Sequence, residues 1–157
     1  MRVEKGFTLV EILIVVVILG ILAAIVIPQF TSASTEARES ALKSDLQAMR
    51  SQIELYKIQH LNDALPGAFT ATFLQAMEGY TDVGGAVVAA GTLGAKGPYM
   101  RKIPVNPFSS AALNLVRIDG IAAGAGTDHW RFDTTTGAFQ ADDTETDPVT
   151  GDAHSTY

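Results

Sequence analysis

The chain contains no cysteine among its 157 residues. Disulfide staples, which small domains often need when the core is limited, are therefore excluded. Stability has to come from packing, from contacts between copies or from a bound ion. Positive charge is also scarce: 11 Lys and Arg stand against 17 Asp and Glu, a formal net charge of −6. The basic footprint of a nucleic-acid-binding surface is missing. Histidine occurs three times, at His60, His129 and His154, too scattered to suggest a zinc site. Neither G-x-S-x-G nor H-E-x-x-H is present, so the hydrolase and metalloprotease signatures are absent. The stretch Gly91-Thr92-Leu93-Gly94-Ala95-Lys96-Gly97 lacks the G-x-x-x-x-G-K-[ST] spacing of a phosphate loop. Neither an enzyme nor a nucleotide-binding protein is expected.

What the chain does have is one long apolar run. From residue 7 to residue 27 only Thr8, Glu11 and Gly20 depart from it. As a helix at about 1.5 Å per residue it would span about 32 Å, against a hydrocarbon core of about 30 Å. Arg2 and Lys5 precede it against Glu4, a positive flank that places the N-terminus in the cytoplasm. The run is longer than the apolar region of a secretory signal, which has about 7–15 residues. More apolar chain, Ile25-Val26-Ile27, follows Ala23-Ala24, so a cut is expected before the run, at Gly6. Glu11 is the residue to explain, because a carboxylate inside such a run costs roughly 2.5–3.5 kcal/mol on insertion scales. Cutting after Gly6 frees an α-amino group on Phe7, one helical turn from Glu11. A helix N-terminus also favours a carboxylate through its macrodipole.

Gly6-Phe7-Thr8-Leu9-Val10-Glu11, the Ile/Val/Leu run behind it and Pro28 at its end resemble the signature of type IV pilins and type II secretion pseudopilins. The resemblance implies that a prepilin peptidase cuts after Gly6 and methylates the new N-terminal Phe7. It implies that Glu11 lies near the amine of a neighbouring subunit during filament assembly, and that the helix loosens near Pro28 inside filaments. A second stretch, Pro98-Tyr99-Met100-Arg101-Lys102-Ile103-Pro104-Val105-Asn106-Pro107-Phe108, is similar to a segment of the major pseudopilin group. Its prolines force an extended path, since residues before proline avoid the helical region. Many type IV pilins close their C-terminal loop with a disulfide, so the absence of cysteine leans toward the pseudopilin side.

Between these stretches, Leu42, Leu46, Met49, Ile53 and Tyr56 recur at four- and three-residue steps, one face of an amphipathic helix reaching about His60. Glu39 with Lys43 and Glu54 with Lys57 are acid-first pairs on that helix. Pro66-Gly67 is a turn, residues 71–77 suit a short helix, and glycines from Gly84 to Gly97 mark a loop. Strands are expected at 114–119 and 129–133. Thr136-Gly137 reads as a hairpin turn returning through 138–141. From Asp142 the tail is acidic, with Asp143, Glu145, Asp147 and Asp152. Such a run reads as solvated and disordered. The alternative is a calcium site through Asp142, Asp143, Glu145 and Asp147, because calcium takes clustered carboxylate and carbonyl oxygens and the resemblance implies calcium in C-terminal loops. An EF-hand is excluded by Pro148 and His154, which stand where its glycine and glutamate belong.

The expected fold is α+β: a long N-terminal helix, half transmembrane and half amphipathic, packed on a small C-terminal antiparallel sheet with long loops. The expected organisation is a leader at 1–6, a transmembrane and assembly helix at 7–28, and its amphipathic half at 29–62. A globular α+β domain follows at 63–141 and the acidic tail at 142–157. The resemblance implies a structural subunit of a homopolymeric filament, held in the inner membrane with its C-terminal domain in the periplasm. It also implies dealings with a prepilin peptidase, an assembly platform and minor pseudopilins, with no cofactor apart from the calcium candidate. The rivals are a type IV pilus subunit for adhesion or motility and a membrane-anchored binding domain that never polymerises.

Overall fold

The computed structural model describes residues 6–110 and 114–157. Two compact units divide the chain, one ending at Arg38 and the other running from Glu39 to Tyr157. Helix α1 (Leu9–Gln59) contributes to both. Its apolar part is long enough to cross a membrane, and every residue from 6 to 34 is exposed. Such a helix satisfies its own backbone, the requirement for a spanning segment, but leaves its side chains needing lipid or protein around them. Pro28 lies inside α1 without a break in the helix.

In the second unit, the face of α1 expected from its periodicity is the buried one. Leu42, Leu46, Met49, Ile53 and Tyr56 are all at most 1% exposed. They pack into one core with Phe73, Ala76 and Met77 of α2 (Phe73–Glu78) and with Trp130, Phe132 and Phe139 from the sheet. Thr72 caps α2 in a reciprocal box with Gln75, its hydroxyl accepting from the Gln75 amide while the Gln75 side chain accepts from the Thr72 amide. That local chemistry explains why the helix starts there.

A two-stranded antiparallel ladder, β1 (Tyr80–Thr81) with β2 (Val87–Val88), forms around the glycines expected to make a loop. The main sheet has the order β3-β4-β5, with β3 (Asn114–Ile118), β4 (Asp128–Phe132) and β5 (Phe139–Ala141). The β4–β5 pair is antiparallel about the expected turn. The β3–β4 pair is parallel, Asn114 facing Asp128 and Ile118 facing Phe132. This corrects the expectation of a wholly antiparallel sheet. Residues 119–127 carry the chain back along the full length of β3 instead of reversing it. Asp119, Gly120, Gly124 and Gly126 adopt positive φ in that stretch, a region that glycine enters freely and most residues avoid. Trp130 donates its indole N–H to the Pro104 carbonyl at 2.8 Å, which ties the proline-spaced segment to the central strand.

Candidate functional site

Gly6, Phe7 and Thr8 lead into α1, and the helix N-terminus is closed by the chain itself. The Thr8 amide and hydroxyl both donate to Glu11 Oε2, at 2.7 and 2.8 Å, and the Glu11 amide donates to Thr8 Oγ1 at 3.2 Å. This is a capping box, in which two otherwise unpartnered backbone donors are satisfied reciprocally. The T-x-x-E spacing of Thr8 and Glu11 is the sequence signal for it. Both contacts fall on Oε2, so Glu11 Oε1 has no hydrogen bond among the described residues. Phe7 is 85% exposed. A side chain built on Gly6 would meet nothing within 4 Å, so the fold itself does not demand glycine there. Past Pro28, the Ser32 hydroxyl donates to the carbonyls of Pro28 and Gln29, both at 3.1 Å, and that of Thr31 to the Ile27 carbonyl at 3.2 Å. Back-bonding of this kind loosens a helix locally.

The acidic tail is not a disordered appendage. Asp142, Asp143, Asp147 and His154 are each less than 5% exposed. The clasp they form closes on α1. His154 Nε2 lies 2.6 Å from Glu39 Oε1, and its Nδ1 lies 2.6 Å from Asp143 Oδ1. Lys43 Nζ donates to Asp147 Oδ2 at 2.7 Å, and the Tyr157 hydroxyl donates to the same oxygen at 3.0 Å. Arg50 donates to the carbonyls of Phe139 and Tyr157. The Glu39–Lys43 pair expected along the helix is thus replaced: each residue turns to a tail partner instead. Glu54 and Lys57 do pair, at 2.9 Å.

Hydrogen bonding sets the acidities here. Lys43, first among its causes, holds the Asp147 carboxyl below the ordinary range, assisted by the Val149 amide. Burial pushes the Asp142 carboxyl up, but bonds from Arg117, Thr127 and the Ala125 amide outweigh it, so the net direction is down.

The four calcium candidates do not converge. Asp142 faces Arg117, Thr127 and the Asp128 amide. Asp143 faces His154 and the Asn106 side-chain amide, the latter at 2.6 Å. Asp147 faces Lys43 and Tyr157, while Glu145 is exposed. Among the described residues no group of three or more acidic, histidine or cysteine side chains is placed to hold a metal. Where calcium would need open oxygens, these carboxylates accept from protein cations and N–H groups, so the donor set does not fit the ion.

Comparison with known proteins bears on the N-terminal stretch first. Residues 1–27 match the family described as the Prokaryotic N-terminal methylation motif. The chain is similar to the type II secretion system core protein G of Pseudomonas aeruginosa, 46% identical over 59 residues, which is 38% of this chain and 42% of that protein. It is also similar to the protein of that name from Klebsiella pneumoniae, 32% identical over 110 residues, covering 70% of this chain and 73% of the relative. The Escherichia coli K12 counterpart is 28% identical over 107 residues, 68% of each chain. The matched stretch spans less than half the length of the P. aeruginosa and Dickeya chrysanthemi relatives. No solved structure matches the chain significantly. The long apolar helix, the residues before it and the extended similarity to the Klebsiella protein agree, and the chain belongs to the type II secretion system core protein G family, the major pseudopilins.

Proposed function

We propose that this chain is the structural subunit of a short pilus-like filament in a type II secretion system, cut after Gly6 and N-methylated on Phe7 by a prepilin peptidase. The observation that carries the reading is the N-terminal helix, apolar and exposed along its membrane-length part, with one carboxylate held at its start. Before assembly, lipid of the inner membrane covers that surface and the C-terminal unit sits in the periplasm. In the filament, helices of neighbouring copies cover it. The role is mechanical, and an assembly platform and minor pseudopilins act on the subunit from outside.

Glu11 sets the register. Thr8 holds one carboxylate oxygen, so the free subunit bears less than the roughly 2.5–3.5 kcal/mol of a lone charge in lipid. Oε1 remains for the Phe7 amine of the next copy, and pairing there is favourable only at the depth where the two groups meet. Pro28 and the hydroxyls behind it supply the place where α1 yields during packing.

Glu11→Ala tests this. The variant should insert and be processed normally, because alanine is less costly in the bilayer and Gly6 is intact, while sheared-filament yield falls sharply against an unchanged membrane pool. Wild-type filament yield from Glu11→Ala would remove the registration role.

A further inference from the structure

The parallel connection between β3 and β4 is folded around a cation that belongs to the chain. Arg117 Nη1 donates to the carbonyls of Asp119, at 3.0 Å, and of Ile121. Its Nη2 donates to the carbonyl of Ala122 at 3.4 Å and to Asp142 Oδ1 at 2.7 Å. Nε lies 3.3 Å from Asp128 Oδ2, an ion-pair distance without the alignment of a hydrogen bond. Three carbonyl oxygens of one loop and two carboxylates from beyond it therefore surround one positive group. Asp142, fully buried, closes the far side by accepting from the Ala125 amide, the Thr127 hydroxyl and the Asp128 amide. Arg131 adds a second donor to the Ile121 carbonyl at 3.0 Å.

Carbonyl and carboxylate oxygens gathered from a glycine-rich loop are the ligands a hard divalent cation takes. Here their lone pairs already receive guanidinium N–H groups. Arginine stays charged throughout the accessible pH range, and its planar fork serves several oxygens at once. A calcium ion added among the same oxygens would meet that charge at contact distance. We infer that the guanidinium of Arg117 takes, from within the chain, the place of a loop-organising metal ion, so that residues 119–128 hold their shape without calcium. The mismatch between the acidic tail and a calcium site has the same origin: the carboxylates are shared out among Arg117, His154 and Lys43.

Hydrogen exchange read by mass spectrometry on the full chain in detergent micelles tests this. The peptides to follow cover residues 119–128, with millimolar calcium and with chelator in excess. In wild type the two exchange profiles and the two melting temperatures should coincide. In Arg117→Met, which keeps the length and loses the charge and fork, loop amides should exchange at least about tenfold faster. Arg117→Lys, which keeps the charge alone, should fall between, and fluorescence of the buried Trp130 reports whether each variant is folded. Slower loop exchange or a higher melting temperature in wild type on adding calcium overturns the inference. So does wild-type loop exchange in a folded Arg117→Met. If that variant does not fold, the calcium comparison on wild type and the intermediate rate of Arg117→Lys decide.

Discussion

Replacing His154 with leucine should cost the C-terminal unit about 3 kcal/mol, at the lower end of the roughly 3–5 kcal/mol for breaking a buried charged pair. The ring is fully buried between Glu39 and Asp143, whose side chains are 8% and 3% exposed. Both ring nitrogens meet a carboxylate oxygen at 2.6 Å, so each contact needs a proton. Without the ring, two largely buried carboxylates lose the partner that stands between them. Asp143 keeps the Asn106 amide at 2.6 Å and the Glu145 amide at 3.0 Å. Among the described residues Glu39 keeps only the Tyr157 hydroxyl, 3.4 Å away and already nearer to Asp147. These residual partners are the reason for taking the low end. For a unit of this size, about 3 kcal/mol corresponds to a fall of about 10 °C in Tm. Trp130, the single tryptophan and fully buried, gives a clean fluorescence readout in urea or on heating. The companion experiment places His154→Leu in a Glu39→Gln/Asp143→Asn background, where no carboxylate is stranded and the histidine loss should be markedly smaller. Equal losses in both backgrounds, or a His154→Leu chain within about 1 kcal/mol of wild type, would refute the electrostatic account and leave only packing.

Two further outcomes are expected. If the proposed cut is right, Gly6→Val should stay at full length in membrane fractions by intact mass, although the chain itself has room for the side chain. A processed Gly6→Val, beginning at Phe7, would count against the proposed cut. Acid should destabilise the C-terminal unit. The Thr136 amide, then Arg131 and the Thr135 amide, hold Asp133 down to about 2, and Asp119, Asp142 and Asp147 are held low as well. Lowered carboxyls contribute fully above their unfolded value, 3.8 for aspartate, and the contribution is lost as pH falls through the folded value. The urea midpoint should therefore hold near neutrality and drop between about pH 4 and about pH 2, and a midpoint that rises on acidification would contradict this.

The legibility of the chain follows how local each feature is. The Leu42, Leu46, Met49, Ile53 and Tyr56 stripe could be read because a helix writes its buried face into three- and four-residue steps. The capping box of Thr8 and Glu11 was equally local and equally readable. The direction of β3 was not, because a strand pattern looks the same whether its neighbour runs with it or against it. The order of the tail is hidden from its sequence for a related reason. Composition marks Asp142, Asp143 and Asp147 as solvated, yet Lys43 sits 104 positions from Asp147 and Glu39 sits 115 from His154. Glu39 and Lys43 form a good helical pair on paper, and only the fold shows that both have better partners elsewhere. No periodicity carries information over such separations. Arg117 sits nearer to Asp142, 25 positions away, but the loop that brings them together depends on glycine conformations a sequence pattern does not display.

The clasp on α1 also sets when the C-terminal unit can close. Glu39, Lys43 and Arg50 all find partners between residues 139 and 157. At roughly 5–20 residues per second of synthesis, the span from Lys43 to Asp147 takes about 5 to 20 s to appear. During that interval the polar fastenings of the helix do not exist, and contacts so distant along the chain are slow to form even afterwards. Only the arrival of the acidic segment fastens this part of the helix to the rest of the unit.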